Sequence, residues 1–140
     1  MILYLDSSSL VKLYVEENGS ADVERLADEA SLSCTSVISY AEARSAFARL
    51  HREGSLTTQE HSLAKADLVR DWPRYLFLDL VPAVWQSAGD LAEKHALRGF
   101  DSIHLASFLY LANANLGEPV QFSSFDNRLI GAAKAETQPR

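Results

Sequence analysis

A run of four apolar residues, Ile2 to Leu5, opens the chain and is followed directly by a single carboxylate, Asp6. Because apolar side chains occupy both faces of this run, it predicts a strand covered on two sides. A weak strand is predicted at 32–35 and further strands at 75–78 and 120–122, with helical patterns between them. Strands separated by helices form parallel sheets with right-handed crossovers. The sequence therefore predicts a three-layer α/β/α domain with a central parallel sheet of four to five strands.

The helical patterns between the strands have recognisable ends. Thr57 and Glu60 have the spacing of a capping box, and Pro82 suits the first position of a helix. Helices are predicted over 7–15, 20–29, 36–51, 57–72, 102–113 and 127–135, with another beginning at Pro82. Neither a linker nor a repeat divides the chain, so a single domain is expected over 1–140, with 36–72 as a helical hairpin.

Composition limits the class of protein. The chain has 140 residues, of which 47% are hydrophobic and 23% charged, as in a globular domain and unlike a disordered or fibrous chain. Its one cysteine, Cys34, excludes an internal disulfide and a cysteine zinc cluster. No apolar run approaches the ~20 residues that span a bilayer, and the run 2–5 lacks the positive flank of a signal peptide. We expect a cytoplasmic protein with no membrane segment.

Three aspartates are predicted to lie near one end of the sheet. Asp6 follows the first strand, Asp126 follows the fourth, and Asp101 begins the helix at 102–113 that leads to the fourth. In open parallel sheets, ligands bind beyond the carboxyl ends of the strands. If the first and fourth strands are neighbours, Asp6 and Asp126 face the same crevice. Each aspartate also has a plainer interpretation, because aspartate is a favoured helix N-cap.

A fourth carboxylate, Glu42, lies early in the helix after the second strand. It shares the i, i+4 stripe of Ile38 and Ala46, which is predicted to face the sheet. Its plainer interpretation is a capping box with Ser39. Several ionised carboxylates disfavour one another in a small site unless a cation neutralises them. Mg²⁺ or Mn²⁺ accepts such oxygen ligands and supports phosphodiester hydrolysis, whereas spacing leaves the number of ions open.

The chain resembles the PIN-domain ribonucleases and, within them, the VapC-type toxins of bacterial toxin–antitoxin pairs. Four segments from residue 3 to residue 129 carry the resemblance: LYLDSSSLVKLY at 3–14, SVISYAE at 36–42, LRGFDSIHLA at 97–106 and SFDNRL at 124–129. The resemblance implies a PIN-like fold and a metal-dependent endoribonuclease that acts as a toxin.

The resemblance also assigns roles to residues and implies partners. Mg²⁺ or Mn²⁺ would be bound by Asp6, Glu42, Asp101 and Asp126, with Ser8 and Ser124 as helpers that support these ligands. The implied partners are an RNA substrate, a small antitoxin that docks on the hairpin 36–72 with its tail in the acidic groove, and a second copy in a homodimer.

Basic residues offer candidate contacts to RNA. The net charge of −6 means that RNA must be bound by a local basic surface. Arg98 and Arg128, each close to an acid, are predicted to contact the RNA strand. Five further arginines are expected to be solvated, with a phosphate-binding rim as the alternative: Arg44, Arg49, Arg52, Arg70 and Arg74.

Several other residues have plainer expected roles. His104 follows Asp101 by one helical turn, but no second ligand has zinc spacing, so a satisfied histidine is expected. Asp90 is expected to be a surface charge rather than an outer ligand. Trp72, Trp85 and Phe108 are predicted to be core.

Three other functions are compatible with parts of the pattern. A haloacid-dehalogenase-like phosphatase also has an aspartate after its first strand, but its second aspartate would stand where this chain has Ser8. A receiver module would use Asp79, which lies 73 positions after Asp6, too far for two short βα units. A PIN-like module that binds RNA without cutting would usually have lost an acid.

Overall fold

The computed structural model describes residues 1–139 and contains one four-stranded parallel sheet of order β3-β2-β1-β4. The strands are β1 (Ile2–Leu5), β2 (Leu32–Ser36), β3 (Leu76–Leu78) and β4 (Val120–Ser123). The helices are α1 (Ser7–Lys12), α2 (Ser20–Glu29), α3 (Ile38–Arg52), α4 (Thr58–Asp71), α5 (Pro82–His95), α6 (Gly99–Ala112) and α7 (Asn127–Thr137), with a short 3-10 turn at Trp72–Arg74.

Alternate residues of β1 build two separate cores. Ile2 and Tyr4 pack with α5, α6 and α7, whereas Leu3 and Leu5 pack with α1 to α4. All four side chains are buried, as expected for a central strand with helices on both faces. The predicted three-layer fold with a parallel sheet is confirmed, and the sheet has four strands in the described chain.

Local chemistry explains several helix ends. Thr57 and Glu60 form the predicted capping box at the start of α4, and Pro82 is the first residue of α5. Helix α1 ends at Lys12, whereas Val15 was its predicted end. The α-helical hydrogen bonding gives way there to a tighter turn, in which the Leu13 N–H donates to the carbonyl of Leu10, three residues earlier. No helix within residues 1–139 has the length and apolarity needed to cross a membrane.

Two predictions about the helices that pack against Ile2 and Tyr4 are wrong. Helix α6 begins at Gly99 rather than Ser102, since the Ser102 N–H already donates to the Arg98 carbonyl. Trp85, predicted to be core, is 51% exposed because it lies off the buried stripe of α5. Phe108 is buried as predicted, and Trp72 is partly buried against the other core.

Candidate active site

Asp6 occupies the point where β1 ends beside β4. Leu5 is in register with Ser123, and the Asp6 N–H donates to the Ser123 carbonyl at 3.1 Å. The side chain is only 4% exposed. Its Oδ1 accepts from the Ser8 hydroxyl at 2.6 Å and the Ser9 N–H at 3.0 Å, and Oδ2 accepts from the Ser124 hydroxyl at 2.6 Å. Since each carboxylate oxygen offers about two lone pairs, Oδ2 keeps one for a further partner.

Ser8 and Ser124 connect Asp6 to the loop that carries Asp126. Each hydroxyl donates to one Asp6 oxygen and accepts from a loop amide, the Phe125 N–H for Ser8 and the Asp126 N–H for Ser124, both at 3.1 Å. Asp126 caps α7, because its Oδ1 accepts from the Leu129 N–H at 3.1 Å. Asp6 and Asp126 therefore each cap a helix, and the two serine hydroxyls hold Asp6 beside the loop that carries Asp126.

Asp101 is not an N-cap, although that was its plainer interpretation. It lies in the first turn of α6 and is half-buried. Burial raises the pKa of its carboxyl group, the charges of Asp126 and Asp6 raise this pKa further, and His104 and Arg98 oppose them. The three aspartates are thus close enough to interact electrostatically at one end of the sheet.

Glu42 reaches the same region from α3, but not by facing the sheet. The buried side of α3 consists of Ser39, Ala43 and Phe47. Ile38, Glu42 and Ala46 instead line an open cleft, which corrects the predicted orientation of that stripe. The capping box with Ser39 is also absent, because α3 is capped by Val37 and the Ser39 hydroxyl pairs with Thr35 Oγ1 at 2.6 Å.

The cleft consists of three adjoining cavities that share Glu42, with volumes of about 420, 490 and 310 Å³. Lys12 lines the first, Arg49 the first and second, and Phe100 the second and third. Phe100 is 60% exposed beside Asp101. Neither Lys12 nor Phe100 was predicted from the sequence to belong to the site. Phe100 could have been found, because a bulky aromatic residue directly precedes the predicted ligand Asp101.

The candidate RNA-binding arginines differ in their surroundings. Arg98 lines the cavity of Glu42 and Asp101, whereas Arg128 donates to the Ala96 carbonyl at 3.1 Å. Of the five further arginines, Arg49 alone lines the cleft in the described chain. The others are Arg44, which donates to the Tyr40 hydroxyl, the exposed Arg52, Arg70, which pairs with Asp67 and Asp71, and Arg74, which lines a separate cavity.

The donor set at the site fits some metals and not others. Within residues 1–139, no three His, Cys, Asp or Glu side chains form a ready-made metal cage. Zinc sites typically use three or four protein ligands, commonly nitrogen or sulfur. Mg²⁺ binds oxygen atoms, keeps several waters and needs only one or two carboxylates. Two of the four carboxylates, Glu42 and Asp101, line the open cleft, whereas Asp6 and Asp126 do not line its cavities. Two carboxylates with room for water fit Mg²⁺ or Mn²⁺ better than zinc.

Comparison with known families identifies this arrangement. The PIN domain family matches residues 3–134. This chain belongs to the PIN-domain family. Two proteins of Mycobacterium tuberculosis, Ribonuclease VapC45 of strain CDC 1551 / Oshkosh and Ribonuclease VapC49 of strain ATCC 25618 / H37Rv, are each 37% identical to it over 134 residues. The match covers 96% of this chain and 90% of each relative.

A solved structure supports the fold independently. The crystal structure of Mycobacterium tuberculosis VapC20, a toxin that cleaves the sarcin–ricin loop, aligns with a TM-score of 0.67. The alignment covers 98% of this chain and 99% of VapC20 at 16% identity, so it concerns the fold alone. The predicted PIN-like fold and the resemblance to VapC-type ribonucleases are confirmed, and PIN-domain nucleases of this type generally depend on divalent metal ions.

Proposed function

We propose that this protein is a metal-dependent endoribonuclease and the toxin of a type II toxin–antitoxin pair. The observation that carries the proposal is the pairing of β1 with β4, which brings Asp6 beside the loop of Asp126, with Asp101 within electrostatic range. Its PIN-domain membership and its 37% identical VapC ribonuclease relatives support the same conclusion.

Asp6, Glu42, Asp101 and Asp126 are the residues that we propose to hold Mg²⁺ or Mn²⁺. When bound, the ion supplies an activated water and stabilises the charge that develops on the phosphodiester. The chain's own contribution is to hold its carboxylates in place. The Ser8 and Ser124 hydroxyls support this role for Asp6. They fix its carboxylate by donating to both oxygens, and Oδ2 keeps a free lone pair.

RNA has a suitable surface beside these acids despite the net charge of −6. Arg98 and Arg49 lie along the cleft and can offset the negative charge of the phosphates. The exposed ring of Phe100 offers a face on which an unpaired base can stack. Arg128 is less available than Arg98 for contact with RNA, since its guanidinium already donates to the Ala96 carbonyl.

The phosphatase and receiver alternatives have little structural support. Ser8 stands where the phosphatase would need an acid and donates to Asp6. Asp79 is exposed after β3, an edge strand, whereas Asp6 follows the central strand β1. Asp79→Asn would inactivate a receiver and leave a metal nuclease unaffected.

The test is cleavage of RNA by partner-free wild type and Asp101→Asn, each with Mg²⁺, Mn²⁺ or EDTA. We expect cleavage only by metal-loaded wild type, with both proteins folded. Asp90→Asn is the matched control, because Asp90 is an exposed acid on α5 and should be dispensable. Metal-dependent stabilisation without cleavage would still indicate the metal site, with the right RNA missing from the assay, whereas neither cleavage nor stabilisation would leave a binding module. Unfolding of Asp101→Asn would instead make that carboxylate structural.

The second part of the proposal concerns partners and location. We propose that the protein acts on RNA in the cytoplasm, where it binds a small antitoxin and a second copy of itself. Part of the α3–α4 hairpin belongs to the core, including Phe47, Leu56 and Leu68. Leu63 and Val69 of α4 remain exposed, Leu63 by 61%, and are available for a protein contact. If a homodimer uses this face, Leu63→Glu will give a folded monomer in light scattering; an unchanged dimer would place the interface elsewhere.

A further inference from the structure

A buried histidine connects the proposed ligand Glu42 to the first strand. His104 is 1% exposed, and its Nε2 lies 2.9 Å from Glu42 Oε1 and 3.4 Å from Ser7 Oγ. Its Nδ1 lies 2.9 Å from the Tyr4 hydroxyl. Tyr4 is fully buried, so the chain of contacts runs from the core to the edge of the cleft.

The bonding partners determine which atoms carry hydrogens. An ionised carboxylate only accepts hydrogen bonds, so Nε2 of His104 must donate to Glu42. In a neutral imidazole the other nitrogen is then an acceptor. Burial raises the pKa of the Tyr4 hydroxyl well above its ordinary range, so this hydroxyl is protonated at neutral pH and donates to Nδ1. Tyr4 therefore selects the tautomer of His104 that donates to Glu42.

The two joined helices belong to different layers. Helix α3, with Glu42, packs in the core formed by Leu3 and Leu5, and α6, with His104, packs in the core formed by Ile2 and Tyr4. The hydrogen bond between His104 and Glu42 therefore crosses from one layer to the other at the end of the sheet. It also joins Glu42 to the helix of Asp101, one turn before His104.

We propose that His104 is a positioning residue for metal binding: its Nε2–H holds Glu42 Oε1 and would leave Oε2 free to bind a cation. The inference rests on the proposed function, because it takes Glu42 as a ligand. It also gives His104 a specific role, since an apolar side chain could fill the same buried volume but could not orient a carboxylate. Partners of this kind typically change metal affinity by about 10–100-fold when removed.

Two amide substitutions separate positioning from packing. His104→Gln places an amide N–H near the position of Nε2 and keeps the bond to Glu42, whereas His104→Asn reaches only the position of Nδ1 and keeps the bond to Tyr4. Both are polar and smaller than histidine. Asn leaves the larger cavity, so a purely structural role would lower the melting temperature more for Asn than for Gln without a matching loss of Mn²⁺ affinity in the folded protein. Ser20→Ala is the control, because the buried Ser20 hydroxyl donates to the Val15 carbonyl and is not part of the Tyr4–His104–Glu42 relay.

The measurement is Mn²⁺ affinity, read from the loss of the free-ion electron paramagnetic resonance signal in purified protein without RNA. We expect His104→Asn to bind Mn²⁺ about 10–100-fold more weakly, and His104→Gln and Ser20→Ala to stay close to wild type. Circular dichroism verifies that each variant is folded. The cleavage rate as a function of Mg²⁺ concentration should shift in the same order.

Each other outcome counts against a specific statement. Equal affinities of the Asn and Gln variants, whether both normal or both weak, would overturn the positioning role. If His104→Asn does not fold, Tyr4→Phe replaces it: weaker Mn²⁺ binding supports the relay, and unchanged binding overturns it. If wild type binds no Mn²⁺, or if Glu42→Gln binds it as tightly as wild type, the proposed ligand role of Glu42 fails. This failure of the proposed function is distinguishable from a failure of the His104 proposal, because it is read without any histidine variant.

Discussion

Removal of the Ser124 hydroxyl tests how Asp6 is held. The Ser124→Ala variant loses a 2.6 Å hydrogen bond to Asp6 Oδ2 and the acceptor for the Asp126 N–H. A hydrogen bond to a charged group contributes about 1.5–3 kcal/mol. Ser124 is half-buried, so water replaces part of the lost bond, and the lower limit of about 1.5 kcal/mol is appropriate. For a chain of this length the melting temperature should fall by about 5 °C.

The loss of metal-binding free energy should equal or exceed the loss of unfolding free energy. Without Ser124, Asp6 Oδ2 is no longer fixed, while Oδ1 still accepts from Ser8 and Ser9. A ligand that has lost its supporting partner typically binds metal about 10–100-fold more weakly. Ser8→Ala should behave similarly, because the Ser8 hydroxyl makes the equivalent bridge between Asp6 and the Phe125 N–H.

Equilibrium unfolding and Mn²⁺ titration of the same preparations provide the assay. Ser20→Ala is the control, since the buried Ser20 hydroxyl donates to the Val15 carbonyl away from the acids. We expect this control to lose stability but keep its Mn²⁺ affinity. The reasoning is refuted if Ser124→Ala loses stability as expected and binds Mn²⁺ as tightly as wild type, because Ser124 would then only hold the loop.

Three further predictions concern other parts of the molecule. Phe100→Ala should weaken binding of single-stranded RNA roughly 5- to 150-fold, the equivalent of about 1–3 kcal/mol of stacking, without lowering the melting temperature; unchanged RNA binding would remove Phe100 from the substrate surface. The Lys94 ammonium lowers the pKa of Glu136, so the stabilisation that this pair gives the folded state is present above the unfolded pKa of glutamate and is lost as the pH falls through the lower folded pKa. Glu136→Gln should cost up to about 1 kcal/mol of unfolding free energy at neutral pH, and the unfolding free energies of variant and wild type should converge on acidification. Gly19→Ala should cost about 1–2 kcal/mol in unfolding free energy, because Gly19 has φ = 93° and a Cβ there would lie 2.5 Å from the Phe125 ring; wild-type stability would contradict this.

The sequence predicted the parallel sheet because its strands are marked by strong local patterns. Apolar residues on both faces of 2–5 favour a covered strand, and Asp6 then falls at its carboxyl end. The neighbouring position of β4 was a condition rather than a prediction, since strand order depends on long-range pairing. Once Leu5 lies beside Ser123, the proximity of Asp6 to Ser124 follows directly.

Helix rotation was harder to predict than helix position. Glu42 was expected to face the sheet with Ile38, but the small residues Ser39 and Ala43 do so, and Glu42 meets His104 instead. The identity of that partner depends on how α3 and α6 approach each other, which local periodicity does not contain. Trp85 failed for a related reason: its size suggested burial, while the neighbouring Val84 occupies the buried stripe.

Capping and metal binding were weighed as alternatives for the aspartates, but the structure makes them compatible. Asp126 uses Oδ1 to cap α7, which leaves Oδ2 for another partner. Because a helix N-terminus favours negative charge, an aspartate at this position suits the cap as well as a cation site. Asparagine caps about as well as aspartate but brings no charge. Asp126→Asn should therefore melt close to wild type yet bind Mn²⁺ more weakly; if stability falls while affinity does not, Asp126 is a cap and nothing more.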